Sequence, residues 1–438
     1  MSDCARGRGR GTKRMSEANG GCIDGMRFET ALLHARRHEP FAVESTTPPI
    51  YQTSAYAYDD EEHHAAVAGG RAPGYVYTRL GNPTVAAFER RMAALEGGFA
   101  AVATASGMAA IFNAVSNVVR AGDKIVAGAC LYGGTLELFE SLREFGIETV
   151  YVPRVTPEEL ARVVDDRTRV IFAETISNPK LEVLDVAAVA TFAHEHGIGF
   201  IVDNTVATPY LCRPLALGAD VVVESSSKYI NGHSNAISGV IIDSGRGPWD
   251  PERYPGMAKW AKFRNMAYIV KLRQGLFRDT GACLSPQNAF LNCTGIETLA
   301  LRMERACSNA QGLAEWFASS GHGVEVDYPG LAAHPGHALA DRQFAGRGFG
   351  ALMSIRVGSK ERAFKVIDGV KLPLRVSNIG DTKTLITHPA TTVFADNSAQ
   401  EQEAAGVWPD TIRLSVGIEN LDDLTEDFDR ALTASEEI

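Results

Sequence analysis

Ala219 to Gly239 reads A-D-V-V-V-E-S-S-S-K-Y-I-N-G-H-S-N-A-I-S-G. The run Asp220 to Glu224 is short and apolar, as a parallel strand buried on both faces requires, and three serines and a lysine follow at once. Lys228 therefore stands just past the carboxyl end of a strand, the edge of an open α/β sheet where ligands bind. A lysine partly withdrawn from water there loses proton affinity and becomes a usable amine nucleophile. An imine-forming lysine is the sharper reading of Lys228, and a solvated loop lysine the plainer one.

Upstream, Ile198 to Asn204 reads I-G-F-I-V-D-N, a second buried strand ending in a carboxylate. A strand-end aspartate suits a pyridinium nitrogen, because its charge keeps that nitrogen protonated and the ring electron-poor. The plainer role for Asp203 is to cap the next helix. Lysine and aspartate together point to pyridoxal phosphate as cofactor. Hydroxyls at Ser225 and Ser227, and the backbone N–H groups of a helix starting near Gly107 in A-T-A-S-G-M-A-A-I-F, can hold its phosphate. Tyr77 and Arg79, in G-Y-V-Y-T-R-L-G-N-P-T, are separated by one residue. On an extended segment they point to one side, so an arginine fork and a phenol can close on one phosphate; otherwise they are a packed tyrosine and a surface arginine. Tyr132 stands just beyond the strand in K-I-V-A-G-A-C-L-Y-G-G-T, placed to stack on a ring and move a proton, or to be a rim aromatic. Arg413 interrupts the apolar strand in T-I-R-L-S-V-G-I-E-N and needs a partner, either an internal carboxylate or a substrate carboxylate held bidentately.

The 438 residues, 45% hydrophobic and 22% charged, exceed one ordinary core and predict two domains with some extension. A net charge of -10 argues against nucleic acid as the main partner. No apolar run of about eighteen residues predicts a membrane span, and the basic N-terminus lacks the apolar segment of a signal peptide. Seven cysteines without C-x-x-C spacing fit the reduced thiols of a cytoplasmic protein, with no disulfide framework and no metal site. Residues 1–25, with R-G-R-G-R-G-T-K-R, predict a disordered basic tail, the alternative being a nucleic-acid-binding arm. Residues 26–80, rich in turn formers, predict an arm more than a domain. Across 81–284 strand and helix patterns alternate, the mark of a doubly wound, mostly parallel α/β domain; Gly245 to Leu284, with Trp249 and Trp260, breaks that rhythm as an insertion leading to a second domain. Residues 285–438 open with an amphipathic helix, A-L-R-M-E-R-A-C-S-N-A-Q-G-L-A-E-W-F, and continue as a smaller α+β domain.

S-S-S-K-Y-I-N-G-H, preceded by I-V-D-N-T and by E-T-I-S-N-P (Glu174 to Pro179), resembles the Cys/Met-metabolism branch of fold-type I pyridoxal-phosphate enzymes. The resemblance extends over nearly the whole chain after about residue 27. It implies that Gly107 and Met108 take the phosphate and that Tyr132 stacks on the cofactor and acts as acid or base. It implies that Asn178 bonds the cofactor's phenolic oxygen, that Thr205 joins the cofactor-binding set, and that Arg413 and Asn378 hold the amino-acid carboxylate. Tyr77 and Arg79 are implied to reach the phosphate of a neighbouring subunit, Tyr77 also touching substrate, so that the active unit is at least a dimer, with a tetramer of paired dimers expected.

Within the family the chain is most similar to O-acetylhomoserine sulfhydrylases, which replace the γ-acyloxy group of an O-acylated homoserine by sulfide or a thiol. Asn378 opens N-I-G-D-T-K-T-L where lyases of the family tend to have serine, Gly134 stands where methionine γ-lyases usually have cysteine, and Trp249 to Lys262 resembles a sulfhydrylase insertion. Val393 and Phe394 depart from the pattern, which normally runs threonine-histidine after H-P-A-x-x, so the acyl group and nucleophile are open to change. The scheme implied has Lys228 moving the Cα proton, Tyr132 assisting loss at Cβ, and the nucleophile adding at Cγ. The rivals are a γ-lyase acting on methionine or cystathionine, a cystathionine γ-synthase, an aminotransferase, and a non-catalytic scaffold.

Overall fold

The computed structural model describes residues 23, 25–35 and 45–436. The tail expected over 1–25 lies outside the described residues apart from Ile23 and Gly25. Strands β1 (Ala100–Thr104), β2 (Lys124–Gly128), β3 (Glu148–Val152), β4 (Thr168–Glu174), β5 (Gly199–Asp203), β6 (Val221–Glu224) and β7 (Gly239–Asp243) form a seven-stranded sheet in the order β1-β7-β6-β5-β4-β2-β3. From β6 to β3 all neighbours are parallel, and β7 runs antiparallel between β1 and β6. Continuous apolar runs make this possible: Val221, Val222, Val223, Phe200, Ile201 and Val202 are all fully buried, so helices cover both faces. The order reverses between β2 and β4, where chain segments leaving the two strands diverge and open a crevice at their carboxyl ends.

Two expectations are corrected. The stretch 26–80 is not an arm throughout, since the helix Phe28–His34 buries Phe28, Ala31 and Leu32 in the chain's own core and sets Phe28 edge-on to Tyr210 at 5.8 Å. The segment from Gly245 to Leu284 is more than a lead into the second domain. Trp249 stacks on Tyr268 at 5.0 Å, and the Tyr254 hydroxyl donates to the Arg169 carbonyl and accepts from the Gly199 N–H, both at 2.8 Å. The segment thus closes the amino end of β4 and β5, opposite the crevice.

Beyond 285, strands β8 (Glu325–Asp327), β9 (Leu352–Arg356), β10 (Leu374–Arg375), β11 (Leu385–Thr387) and β12 (Thr411–Ser415) form a five-stranded sheet in the order β10-β11-β12-β9-β8, antiparallel except for β10 with β11. The helix Leu421–Glu436 buries Leu424, Phe428, Ala431 and Leu432, a stripe at helical spacing, with Phe428 against Phe317 at 5.1 Å. Among the described residues no helix is long and apolar enough to cross a membrane.

Arg302, on the long helix Leu299–Ser319, ties this half of the chain to the loop after β6. Its buried guanidinium donates to the carbonyls of Tyr229 (2.6 Å), Ile230 (3.3 Å) and Gly295 (2.7 Å). Gly232 lies in the left-handed region at φ +76°, and a side chain there would run into the same guanidinium. Arg302→Met keeps the packing volume but strands the buried carbonyls of Tyr229 and Ile230, Gly295 keeping its bond from Thr298, so we expect a loss of about 2–4 kcal/mol of stability, read as a lower denaturation midpoint. An unchanged midpoint would show that the carbonyls find other partners.

Candidate active site

A cavity of about 1000 Å³ opens at the carboxyl ends of β4, β5 and β6 and extends to β12 of the smaller sheet. Lys228, Asp203, Gly107, Met108, Tyr132, Asn178, Thr205, Ser225, Ser227, Asn378 and Arg413 all line it. Residues far apart in sequence meet there because parallel strands end on one edge, and because β12 brings Arg413 from the second sheet.

Lys228 follows β6 by one turn, its N–H bonded to the Ser225 carbonyl at 3.1 Å, and its Nζ donates to Asn378 Oδ1. Burial, and then the charge of Arg413, lower the proton affinity of the amine. Asp203 ends β5 beside Glu174, its register partner at the end of β4. The Thr205 N–H donates to Asp203 Oδ1 at 2.9 Å, an Asx turn, and the next helix is capped elsewhere, so the helix-cap reading does not apply. Burial pushes Asp203 up to about 6. Among the described residues no basic side chain pairs with it. Glu174 is also held well above the usual carboxylate range, by burial first and then by Asp203, and its Oε1 accepts the Tyr132 N–H at 2.7 Å.

At the other end, Ser106 caps the helix Gly107–Ser116 by accepting from the Ala109 N–H at 3.0 Å, which leaves the N–H groups of Gly107 and Met108 without intrahelical acceptors. A Cβ on Gly107 would lie 2.6 Å from the Ser225 Cβ, so only glycine lets the helix start abut that serine. The Ser227 hydroxyl donates to the Ser238 carbonyl at 3.0 Å and accepts its N–H at 2.8 Å, so Ser225 is the better placed of the two predicted serines to donate into the cavity. Thr205 acts behind the site, its hydroxyl accepting the Ser225 N–H at 2.8 Å.

Arg413 is 3% exposed. It donates to Asn178 Oδ1 and to the main-chain oxygen of Asn378, each at 3.2 Å, while its Nε has no partner. No carboxylate pairs with it among the described residues, which removes the internal ion-pair reading. Burial pulls its pKa down to about 10. A buried guanidinium without a carboxylate partner and with one donor unspent is suited to hold a carboxylate.

Tyr132 sits at the mouth, 43% exposed, at the start of the helix Gly133–Leu142. A Cβ on Gly134 would stand 2.7 Å from the edge of the Tyr132 ring, so the ring occupies the space a side chain at 134 would need. Of the two departures from the family pattern, Val393 lines the cavity, whereas Phe394 turns away into a small cluster with Ala405 and Val407.

Tyr77 and Arg79 do not line this cavity. Their segment is a turn, with the Tyr77 carbonyl accepting from Leu80 N at 2.9 Å and Gly81 N at 3.2 Å, rather than the extended stretch the spacing predicts. They share a side all the same, the Arg79 guanidinium lying 5.4 Å from the Tyr77 ring, and Arg79 also donates to the Arg278 carbonyl at 2.9 Å. Glu174, Ser106 and Ser234 line the cavity without having been singled out from sequence. Glu174 carried a usable signal, a carboxylate closing a buried strand as Asp203 does.

The residues present fit pyridoxal phosphate: a poised amine, an uncompensated carboxylate for a ring nitrogen, and free backbone donors with a hydroxyl for a phosphate. The raised pKa of Asp203 has a measurable consequence for protein stripped of cofactor. An unfolded aspartate ionises near ~4. Between that pH and about 6 the fold retains a proton that the unfolded chain releases, so stability falls as pH rises through this window. Cofactor-free Asp203→Asn should match the parent near pH ~4 and exceed it above pH ~6 in thermal midpoint. A gap independent of pH would exclude this account.

Residues 29–433 match the family model described as Cys/Met metabolism PLP-dependent enzyme. The sulfhydrylase FUB7 of Fusarium oxysporum is 45% identical over 419 residues, 92% of this chain and 96% of that protein. The O-acetyl-L-homoserine sulfhydrylase of Leptospira meyeri is 41% identical over 425 residues, with the same coverage. A Campylobacter jejuni protein, named by its crystal structure as a candidate O-acetylhomoserine (thiol)-lyase and carrying a pyridoxyl-lysine phosphate, superposes with a TM-score of 0.85 at 35% identity, covering 93% of this chain and 99% of that one. With the amine, the acid and the helix start assembled on one sheet edge, and with similarity running almost end to end, the chain belongs to the Cys/Met-metabolism family of pyridoxal-phosphate-dependent enzymes.

Proposed function

We propose that this enzyme catalyses γ-replacement on an O-acylated homoserine, O-acetyl-L-homoserine first, with sulfide or a thiol, giving homocysteine or a thioether amino acid. The observation that carries the reading is the pairing of Lys228 with Arg413 across one cavity: a poised amine facing a buried guanidinium that lacks a counter-charge. Sulfhydrylases and an O-acetylhomoserine (thiol)-lyase among the relatives support the substrate class. Bound pyridoxal phosphate supplies an electron sink for charge developing on the amino acid.

The chain's own residues do the rest. Arg413 grips the substrate carboxylate and so fixes which Cα bond stands perpendicular to the cofactor ring, favouring deprotonation over decarboxylation. Lys228 moves the Cα proton, and Tyr132, over Gly134, assists at Cβ as the Cγ acyloxy group leaves. Asp203 balances the ring nitrogen, Asn178 bonds the phenolic oxygen, and Gly107, Met108 and Ser225 hold the phosphate. The Tyr132 ring leaves no room for a side chain at 134, where methionine γ-lyases usually have cysteine, which favours replacement over elimination. Exposed Tyr77 and Arg79 reach the phosphate of a second copy, so the enzyme works as at least a dimer, with a tetramer in the cytoplasm as the full form.

Purified holoenzyme given O-acetyl-L-homoserine and sulfide should form homocysteine, read by mass spectrometry. Lys228→Ala should lower turnover on the order of a thousandfold or more. Arg413→Lys, losing the bidentate fork, should lower kcat/KM by roughly 10–100-fold, mainly through KM. Ammonia and 2-oxobutanoate forming equally well without sulfide would make the enzyme a lyase, and a Lys228→Ala variant with full turnover would exclude the scheme.

A further inference from the structure

A chain of hydrogen bonds runs out of the cavity from Lys228. Its Nζ donates to Asn378 Oδ1, Asn378 Nδ2 donates to Ser234 Oγ at 3.0 Å, and Ser234 Oγ donates to Asp381 Oδ2. Beyond it, Asp381 Oδ1 is paired with Lys383 Nζ at 2.7 Å and accepts the Lys383 N–H at 3.0 Å. Burial alone would raise the Asp381 carboxyl, but the bonds from Lys383 and Ser234 more than offset this and hold it below its ordinary value. Ser234 itself is in the left-handed region at φ +53°, which serine seldom adopts.

The polarity of this chain follows from counting hydrogens. An ionised carboxylate only accepts, and a serine hydroxyl has a single hydrogen. With that hydrogen on Asp381, whatever faces the Ser234 oxygen from the other side must donate. Asn378 therefore turns its NH₂ toward Ser234 and its carbonyl oxygen toward the cavity. A free amide could present either end; this one is locked. Its main-chain oxygen is spent as well, accepting from Arg413 at 3.2 Å. Both oxygens of Asn378 are thus acceptors already in use, and the side-chain oxygen turned toward Lys228 cannot hold a carboxylate.

We propose that Asp381 and Ser234 are positioning residues that hold Asn378 as an acceptor for the amine of Lys228, leaving the substrate carboxylate to Arg413. This gives Asn378 a different part from the carboxylate contact that the family resemblance implies. The inference rests on Lys228 being the proton-moving amine of the proposed reaction. An acceptor holds that nitrogen in one direction and steadies the ammonium it becomes on taking the Cα proton, so the lysine displaced by substrate is kept close and aimed. The groups facing Lys228 from the neighbouring elements are Arg413 on β12, Asp203 on β5, Glu174 on β4 and Tyr132 after β2. Those acting on Asp381 are Lys383 in its own loop, Ser234, and Arg302 from the helix Leu299–Ser319. The two variants below alter none of these except the lock itself.

The test is a pH titration of the visible absorption of holoenzyme, with kcat and KM measured alongside. Asp381→Asn keeps the shape but lets the chain reverse, and Ser234→Gly removes the hydroxyl while suiting the positive φ. Either change should shift the absorption midpoint, and the limb of the pH–kcat profile that Lys228 controls, to lower pH by roughly one unit. At neutral pH kcat should fall about tenfold because the amine is no longer held in one direction, while KM for the amino-acid ester stays within about twofold, since Arg413 is untouched. Midpoints unmoved in both variants would overturn the proposal. So would a KM that rises at unchanged kcat, which would return Asn378 to the carboxylate. The absorption readout does not depend on whether the product is a thioether or an oxo acid, so failure here is distinguishable from failure of the proposed reaction. If Asp381→Asn does not fold, Ser234→Gly alone decides.

Discussion

The site depends on two charges that the chain buries and does not neutralise. Among the described residues Arg413 has no carboxylate partner and Asp203 no basic one. Taking an unpaired charge out of water is among the costliest things a fold can do, and such groups normally shift their ionisation or find a counter-ion. Here both pKa values are displaced toward the neutral form, which is the response of groups waiting for a partner. A ligand that is anionic at one place and cationic at another satisfies both at once. An amino acid on a pyridinium cofactor is such a ligand.

Holding those charges apart yet within one cavity is the work of the scaffold, and it is done largely by close backbone approach. Gly107 lets its helix start press against Ser225, Gly232 admits the Arg302 guanidinium beneath the lysine loop, and Gly380, at φ +78°, brings the Asn378 loop onto the Tyr229 backbone, where a Cβ would come within 2.5 Å of the Tyr229 nitrogen. Arg302 then pins the lysine loop to the long helix of the second half. The two sheets are thereby joined at the site itself, and Arg413 and Asn378 can be positioned to within hydrogen-bond tolerance although they belong to the smaller sheet.

Much of this was legible in the sequence because buried parallel strands announce themselves. I-G-F-I-V-D and V-V-V-E are runs that only a doubly covered sheet tolerates, so their ends, and with them Asp203 and Lys228, could be placed without any structure. The glycine before a helical run located a helix start at the cavity in the same way, and an arginine inside a strand marked a second wall of it. What escaped was whatever depends on local chain direction. Tyr77 and Arg79 share a side through a turn and not through extended pairing. Neighbouring Val393 and Phe394 differ in depth, Val393 reaching the cavity from the edge of the small cluster in which Phe394 is buried. Ser234 gave no signal at all: its contribution comes from a positive φ and a partner far along the chain, neither of which a pattern of residue types encodes.

The row of acids at the sheet edge shows how one negative charge is delivered where three carboxylates are available. Glu174, Asp203 and Glu224 end three adjacent parallel strands. Three ionised carboxylates at strand spacing would repel strongly in a medium of low polarity, so they cannot all carry charge. Register sorts them. Asp203 pairs with Val223, so Glu224 lies one residue further along and on the opposite face of the sheet, where it is fully buried beside Glu96. Burial first, and then Glu96, drive Glu224 far toward its neutral form, while Glu96, its Oε1 held by Asn204 at 2.7 Å, is itself pushed up to about 7. Glu174 shares the face of Asp203 but spends one oxygen on the Tyr132 backbone and is likewise held neutral. Asp203 is pushed up only to about 6, and it is the one that Thr205 holds at the cavity. Neighbours displaced toward their neutral forms repel Asp203 less, so the acids on the covered face bear on its ionisation without lining the cavity.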